Sequence, residues 1–396
     1  MANYDAATII NAAYSQITGG SNLGALTVKD IIDQGVASGS FSTQREQFTS
    51  ALIERVAKTL FTDEKYANQY DDPYYVDSSR FGSITQVISA EAPSVKANPA
   101  WAALTSGTST VGVYTVTMPV VNERLYAKSS SWSLDITVTG EQWDTAFSSA
   151  EELTNFVDYL FVVIDNAITQ HREDMNSANR NSFMAAKILA QASVSNTGVH
   201  VIELRSAYNA ARGKSIATKE AFLADPDAMR WASKMIMLYA DYLKKQSVLF
   251  NTSGKVKFVP KDRLVLEINT GFERSIEEVA LSDTYHEEMV RMTNYHTVPY
   301  WQSEKTSNGA LDFEATTSIS VKFDNSTTVT QSGIVAFLCD KYAIMHTIKS
   351  QRVAVQPFPI EDLTIYSYQY RDAYMNNLDL PALVFTLEDP AQENNG

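Results

Sequence analysis

The chain has 396 residues, enough for two to three domains of about 150 residues each, and 44% of them are hydrophobic, as in an ordinary folded protein. Lys and Arg number 32 against 46 Asp and Glu, a net charge of −14, which excludes a general nucleic-acid binder because phosphate contacts need a basic surface. Cys339 is the only cysteine, so an internal disulfide framework and a cysteine-rich zinc site are excluded as well. No apolar run approaches the roughly 18 residues of a membrane span. The start, MANYDAATIINAAY, lacks the basic-then-apolar pattern of a secretory signal. A soluble, cytosol-made, multidomain protein is the expectation.

The first forty residues scatter Ile9, Ile10, Ile17, Leu23, Leu26, Ile31 and Ile32 among five glycines that interrupt any helix. They read as an extended arm with short helical pieces, ordered by neighbours more than by a core of its own. A helix follows. Thr43 and Glu46 have capping-box spacing, and Phe48, Leu52, Ile53, Val56 and Leu60 recur at helical steps as far as about Phe61.

From Phe81 to about Gly140 the period changes to two. SITQVISA, VGVYTVTMPVV, RLYAKSSSWS and LDITVTG are rich in β-branched and aromatic residues. Pro93, Pro99 and Gly107 break the stretch after the first of these. The pattern predicts a long two-stranded excursion with an irregular tip. Two strands alone cannot bury an apolar face, so this element needs a partner surface.

Next comes the strongest local signal. Ser148 and Ser149 precede Glu151 and Glu152 by three residues each, a doubled capping box. Leu153, Phe156, Val157, Leu160, Ile164, Ile168 and Met175 then hold one stripe, and neither Pro nor Gly falls between Glu151 and Ala192. About forty helical residues span on the order of 60 Å, so the helix should act as a spine. Asn179 to Ser182 is where it would break.

A short strand is expected within 198–204 and a short helix over 205–211. Thr218 opens another helical region, and Asp225-Pro226 its second part, with Pro at the first turn, where its missing N–H costs nothing. VKFVP, DRLVLEIN, HTVPYWQ, SISVKF, IVAFLCD and QRVAVQPF read as strands. Residues 272–281, and 286–292 after them, read as helical. DLTIYSYQYRDAY and PALVFTL suit a long strand, a turn and a final strand.

No catalytic motif is present. G107-T-S-T-V-G112 has phosphate-loop glycine spacing, but Val113 stands where lysine must reach the phosphates. Nucleophile-elbow and dinucleotide motifs are absent. The five histidines never fall four residues apart, so the helical zinc pair is missing. His286, Glu287, Glu288 and His296 read as a solvated acidic face, His171 as a partly buried residue of the spine, and Cys339 as a buried inert thiol. Asp71-Asp72, Glu287-Glu288 and Glu361-Asp362 read as loop or helix-end charge. No catalytic, cofactor or metal residue is assigned, and the chain is not expected to be an enzyme.

The order of elements resembles the HK97-type fold of the major capsid proteins of tailed double-stranded DNA phages. The resemblance rests on LDITVTGEQW followed by SSAEELTNFVDYLFVVIDNAITQHRED, on DRLVLEIN with ALSDTYHEEM and NYHTVPYWQ, and on GIVAFLCDKYAIM followed by YSYQYRDAYMNNLDLPALVFTLE, where a strand carrying Arg371 leads to a Pro-led final strand. It implies an α+β, HK97-like subunit. In that subunit 1–62 is the N-terminal arm and helix, and 63–140 is the excursion, the family's E-loop. Residues 141–212 with 350–378 form a P-domain holding the spine, and 213–349 with 379–396 an A-domain. The implied function is self-assembly into an icosahedral shell around phage double-stranded DNA, through hexamers and pentamers. The implied partners are a scaffolding protein, a portal, head-completion proteins and the enclosed DNA, with no membrane. The implied location is the virion, after synthesis in the bacterial cytoplasm. Pro93, Pro99, Trp101, Leu104, Arg124 and Lys128 are the candidates for contact with an adjacent subunit. An encapsulin-like compartment shell and an uncharacterised α+β enzyme stay open as alternatives.

Overall fold

The computed structural model describes residues 74–77, 85–90, 121–126, 129–139, 150–193, 198–281, 295–302, 313–323, 327–358, 361, 363–390 and 394–395. The N-terminal arm, the expected helix from Thr43, the excursion tip, Lys128 and the expected helix at 286–292 lie outside them. In chain order the elements are β1 (Tyr75–Asp77), β2 (Thr85–Ala90), β3 (Val121–Tyr126), β4 (Ser130–Thr139), α1 (Ala150–Ala192), β5 (Val201–Glu203), α2 (Leu204–Arg212), α3 (Lys219–Leu223), α4 (Pro226–Leu243), β6 (Leu264–Asn269) and α5 (Thr270–Leu281). They continue with β7 (Tyr295–Val298), α6 (Phe313–Thr316), β8 (Ile319–Lys322), β9 (Thr327–Gln331), β10 (Ile334–Asp340), a 3-10 turn (Lys341–Ala343), β11 (Ile344–Phe358), β12 (Leu363–Asn376), β13 (Ala382–Thr386) and β14 (Asn394–Asn395). They belong to two compact units, one holding 129–176 and 348–373, the other 72–128, 177–347 and 374–396.

In the larger unit a five-stranded sheet runs β5-β13-β10-β6-β7. β10 pairs antiparallel with both β13 and β6, placing Phe337 opposite Val384 on one side and Glu267 on the other. All seven residues of β10 are buried, because both sheet faces are covered, as an uninterrupted apolar run such as IVAFLCD requires. Alternation divides the core. Leu264, Leu266, Ile268, Leu338 and Leu383 join Met229, Ala232 and Ile236 of α4 and Phe272 of α5. Val265, Phe337, Cys339 and Val384 join Phe183, Met184 and Ile188 of α1. The sheet is thus the middle of three layers, with helices on both sides.

Local chemistry sets the helix ends. Asp225 accepts hydrogen bonds from the backbone N–H of Asp227 (2.9 Å) and Ala228 (3.4 Å), with Pro226 in the first turn of α4. Thr218 caps α3 and Glu203 caps α2, while Gly213, at φ 63°, ends α2 in the left-handed conformation that glycine adopts without strain.

α1 runs unbroken for 43 residues. The weak stretch at Asn179 to Ser182 holds because tertiary polar bonds engage it. Arg180 lies 3.6 Å from Glu267 and over the Trp301 ring at 5.0 Å, Asn181 donates to the Trp301 carbonyl at 2.7 Å, and the Asn179 carbonyl accepts from Asn376 at 3.2 Å.

In the smaller unit β12 pairs antiparallel with β4 over ten residues, from Leu363 opposite Thr139 to Asp372 opposite Ser130, and its other neighbour is β11. Trp132 stacks on Tyr370 at 4.1 Å, donates to Asp372 at 2.9 Å and meets the His171 ring at 4.3 Å. His171 is therefore a half-buried packing residue of the spine. Ile164 and Ile168, on the expected stripe, are buried.

Candidate assembly surfaces

Among the described residues β2 and β3 form a sheet of their own, with no third strand. The register sets Gln86 against Leu125, Ile88 against Glu123 and Ala90 against Val121. Directly paired residues share a face, so Gln86, Ile88, Val121, Glu123 and Leu125 line one side of the ribbon. Val87, Ser89, Arg124 and Tyr126 line the other. The two sides differ. On the first, Ile88, Val121 and Leu125 are 61%, 58% and 60% exposed, and the Gln86 amide donates to Glu123 at 2.7 Å. On the second, Arg124 makes a paired contact with Asp379, Nη2 to Oδ1 and Nε to Oδ2, both at 2.8 Å, and the Tyr126 hydroxyl donates to the Asn376 carbonyl at 3.2 Å.

The turn that receives these bonds, between β12 and β13, is firmly held. The Lys187 ammonium donates to the carbonyls of Leu378 (3.1 Å) and Leu380 (3.2 Å). The Asn377 N–H bonds the Ala343 carbonyl at 2.8 Å, and the Thr252 hydroxyl donates to Leu378 at 2.9 Å. Lys187 is fully buried, and burial pulls its pKa down to about 7 against a smaller upward pull from Asp379. His200 is lowered to about 4, again chiefly by burial, with Lys187 adding to it. The ribbon thus has one side fastened to its own chain through a rigid turn, and one apolar side that the described residues leave bare.

Of the six sequence-predicted contact residues, only Arg124 falls within the described residues, and its partner there is Asp379 of the same chain. Pro93, Pro99, Trp101, Leu104 and Lys128 lie outside them. The sequence alone does not single out Ile88, Val121 and Leu125. Strand pairing, which places all three on one side, is the missing signal. Cys339 is buried and its thiol pKa is raised, first by burial and then by Glu267. Among the described residues no three His, Cys, Asp or Glu gather as a metal set, and no helix is long and apolar enough to cross a membrane.

The larger unit is thus a three-layered α+β body bearing a two-stranded ribbon with an apolar face that the described residues leave uncovered. Two phage structures share this fold. One is "Capsid structure of Staphylococcus phage Andhra", at TM-score 0.53 and 10% identity over 83% of this chain and 86% of that one. The other is "Structure of head fiber and inner core protein gp22 of native bacteriophage P68", at TM-score 0.53 and 9% identity over 82% and 88%. No curated protein matches the sequence. The model of the Phi29-like phage major capsid protein family matches residues 7–386, and the chain belongs to that family. Its fold is the HK97-like capsid fold, and it is a shell-forming structural subunit.

Proposed function

We propose that the outer face of the β2–β3 ribbon seats against the body of an adjacent subunit and so closes the capsid shell. The observation that carries this is the ribbon's two-sidedness, with Ile88, Val121 and Leu125 bare and Arg124 and Tyr126 bonded inward. Three large apolar side chains on one small ribbon face are what an interface buries, and such contacts supply most of the affinity. Pro93, Pro99, Trp101 and Leu104, between β2 and β3, and Lys128, after β3, belong to the same contact, and Arg124 fixes the ribbon's exit from its own body. Within this reading 1–62 is the arm, 63–140 the E-loop, 141–212 with 350–378 the P-domain, and 213–349 with 379–396 the A-domain.

The subunit acts by assembly, without catalysis, in the virion, after synthesis in the host cytoplasm. Scaffolding, portal and head-completion proteins are its partners during assembly. The net charge of −14 keeps packaged DNA from adhering to the wall. Replacing both Ile88 and Leu125 with Ser tests the contact. Electron microscopy should show shells from the wild type and only unassembled, folded subunits from the variant. Closed shells from the variant at wild-type yield would contradict it.

A further inference from the structure

The small sheet β14-β9-β8 ends, among the described residues, on β8, whose far edge carries no strand. A bare strand edge is a row of backbone N–H and C=O groups ready to pair with another chain. In a protein that works by packing copies together, every such edge competes with the intended contacts. The local residues suit pairing: ISVK and TTVTQ are rich in β-branched side chains, and Phe323, next after β8, is 43% exposed.

The outward groups of β8 can be followed one by one. In an antiparallel ladder alternate residues turn their N–H and C=O toward the neighbouring strand or away from it. The register pairs Ser320 with Thr330 and Lys322 with Thr328, and the Phe323 N–H faces β9, bonding the Thr327 carbonyl at 3.0 Å. Ser318, Ser320 and Lys322 are therefore the residues turned away. The Ser318 N–H bonds the Ala315 carbonyl of α6 at 3.4 Å. Lys322 puts an exposed charge at the strand's end, one of the ways in which edges are kept from pairing. At Ser320 a single side chain takes both groups. The Ser320 N–H donates to Gln302 Oε1 at 2.5 Å, and the Gln302 amide nitrogen donates to the Ser320 carbonyl at 3.1 Å. These are the two bonds a paired strand would make. The backbone behind Gln302 is fixed by its neighbour Trp301, which is fully buried. The Trp301 N–H bonds the Thr316 carbonyl at 3.1 Å, its indole donates to the Ile334 carbonyl at 2.8 Å, and its own carbonyl accepts from Asn181 at 2.7 Å.

We infer that Gln302 is a specificity residue of assembly: its amide stands in for a strand at Ser320 and keeps β8 from pairing antiparallel with β8 of another copy. That pairing would join like edges about a two-fold axis, and each one formed would draw subunits away from the shell. The inference rests on the shell reading and concerns a different element from the ribbon.

The test uses the full chain with Gln302→Ala. Gln302 is an exposed side chain, so the unassembled variant should fold and unfold cooperatively in a thermal melt. Sedimentation and electron microscopy should show closed shells lost to a concentration-dependent association that the wild type lacks. Hydrogen exchange locates the contact. The Ser320 amide should exchange freely in dissociated variant subunits and be protected in the associated material. Free exchange in the associated material would assign the association to another surface and overturn the inference. Adding Ser320→Pro deletes the N–H that a second copy would use, a change that edge strands tolerate. The double variant should regain closed shells without regaining the Gln302 bonds. A folded double variant as defective as the single one would make Gln302 a structural brace only and overturn the inference. A wild type that assembles beside an equally competent Gln302→Ala overturns the inference alone, and a wild type that never assembles overturns the shell reading with it.

Discussion

The five-stranded sheet and the β2–β3 ribbon are built from the same residue types and treat them oppositely. In β10, Ile334, Val335, Phe337 and Leu338 are wholly buried between two helical layers. In the ribbon, Ile88, Val121 and Leu125 are more than half exposed on a face that no described layer covers. Burying one such side chain is worth about 1.5–3 kcal/mol. The sheet gains that when the chain folds, whereas in the proposed reading the ribbon gains it when an adjacent subunit seats against it. That reading divides apolar surface between folding and assembly within one subunit.

That division can be broken from the folding side. Phe337→Ala opens a cavity where the ring meets Phe183 edge-on at 5.9 Å. It should cost about 3–5 kcal/mol of subunit stability in denaturant titration, and assembly should suffer only as a consequence. A loss below about 1 kcal/mol would mean that the β10–α1 layer is not the core.

A smaller effect is expected at Lys187, whose pKa falls from the usual lysine range to about 7 in the folded subunit. Between about pH 7 and pH 10 the unfolded chain holds this proton and the folded one does not, so folding stability should rise with pH across that window. Below the folded pKa both states are protonated and the dependence ends. Thermal melts of Lys187→Met, run at several pH values beside the wild type, should lose this slope. A slope unchanged by the substitution would place its origin elsewhere.

Smaller again is Asp379→Asn. The Arg124–Asp379 pair is partly exposed, and such pairs contribute about 0–1 kcal/mol to global stability. The substitution should leave the melt nearly unchanged while hydrogen exchange in β3 quickens and that in β10 does not. Equal protection of β3 with and without the pair would mean that the turn does not hold the ribbon.

Much of the body is legible in the sequence. The pattern predicts α1 over 151–192, and the helix occupies Ala150–Ala192, since a stretch without Gly or Pro carrying one stripe has few alternatives. β10 follows from an unbroken apolar run, and the start of α4 from Asp225-Pro226. VKFVP reads as a strand but makes only the Ser247–Lys257 bridge. There Asn251 turns the chain, bonding the Lys255 N–H (3.2 Å) and carbonyl (2.7 Å), and Gly254 takes φ 65°. β9 escapes the sequence reading, because TTVTQ is polar and only Val329 and Gln331 are buried. β11 begins at Ile344, earlier than QRVAVQPF suggests, where the 3-10 turn releases the chain from β10.

The candidate surfaces are legible only in part. The need of a two-stranded excursion for a partner follows from strand count alone. Which of its faces is bare depends on pairing and on a bond between Arg124 and Asp379, residues 255 positions apart. No local pattern in VNERLY announces that arrangement.

The most direct test of the division between folding and assembly removes the excursion and asks both questions of one sample. Residues 91–120, between the paired Ala90 and Val121, would be deleted and the ribbon closed with Asn-Gly, a favoured two-residue hairpin turn. Shortening a loop changes closure entropy only slowly. Calorimetry of the variant should therefore show unfolding near the wild-type temperature, and electron microscopy of the same sample should show no closed shells. A variant that unfolds outright would put the excursion in the subunit's own core, and one that forms normal shells would remove it from assembly.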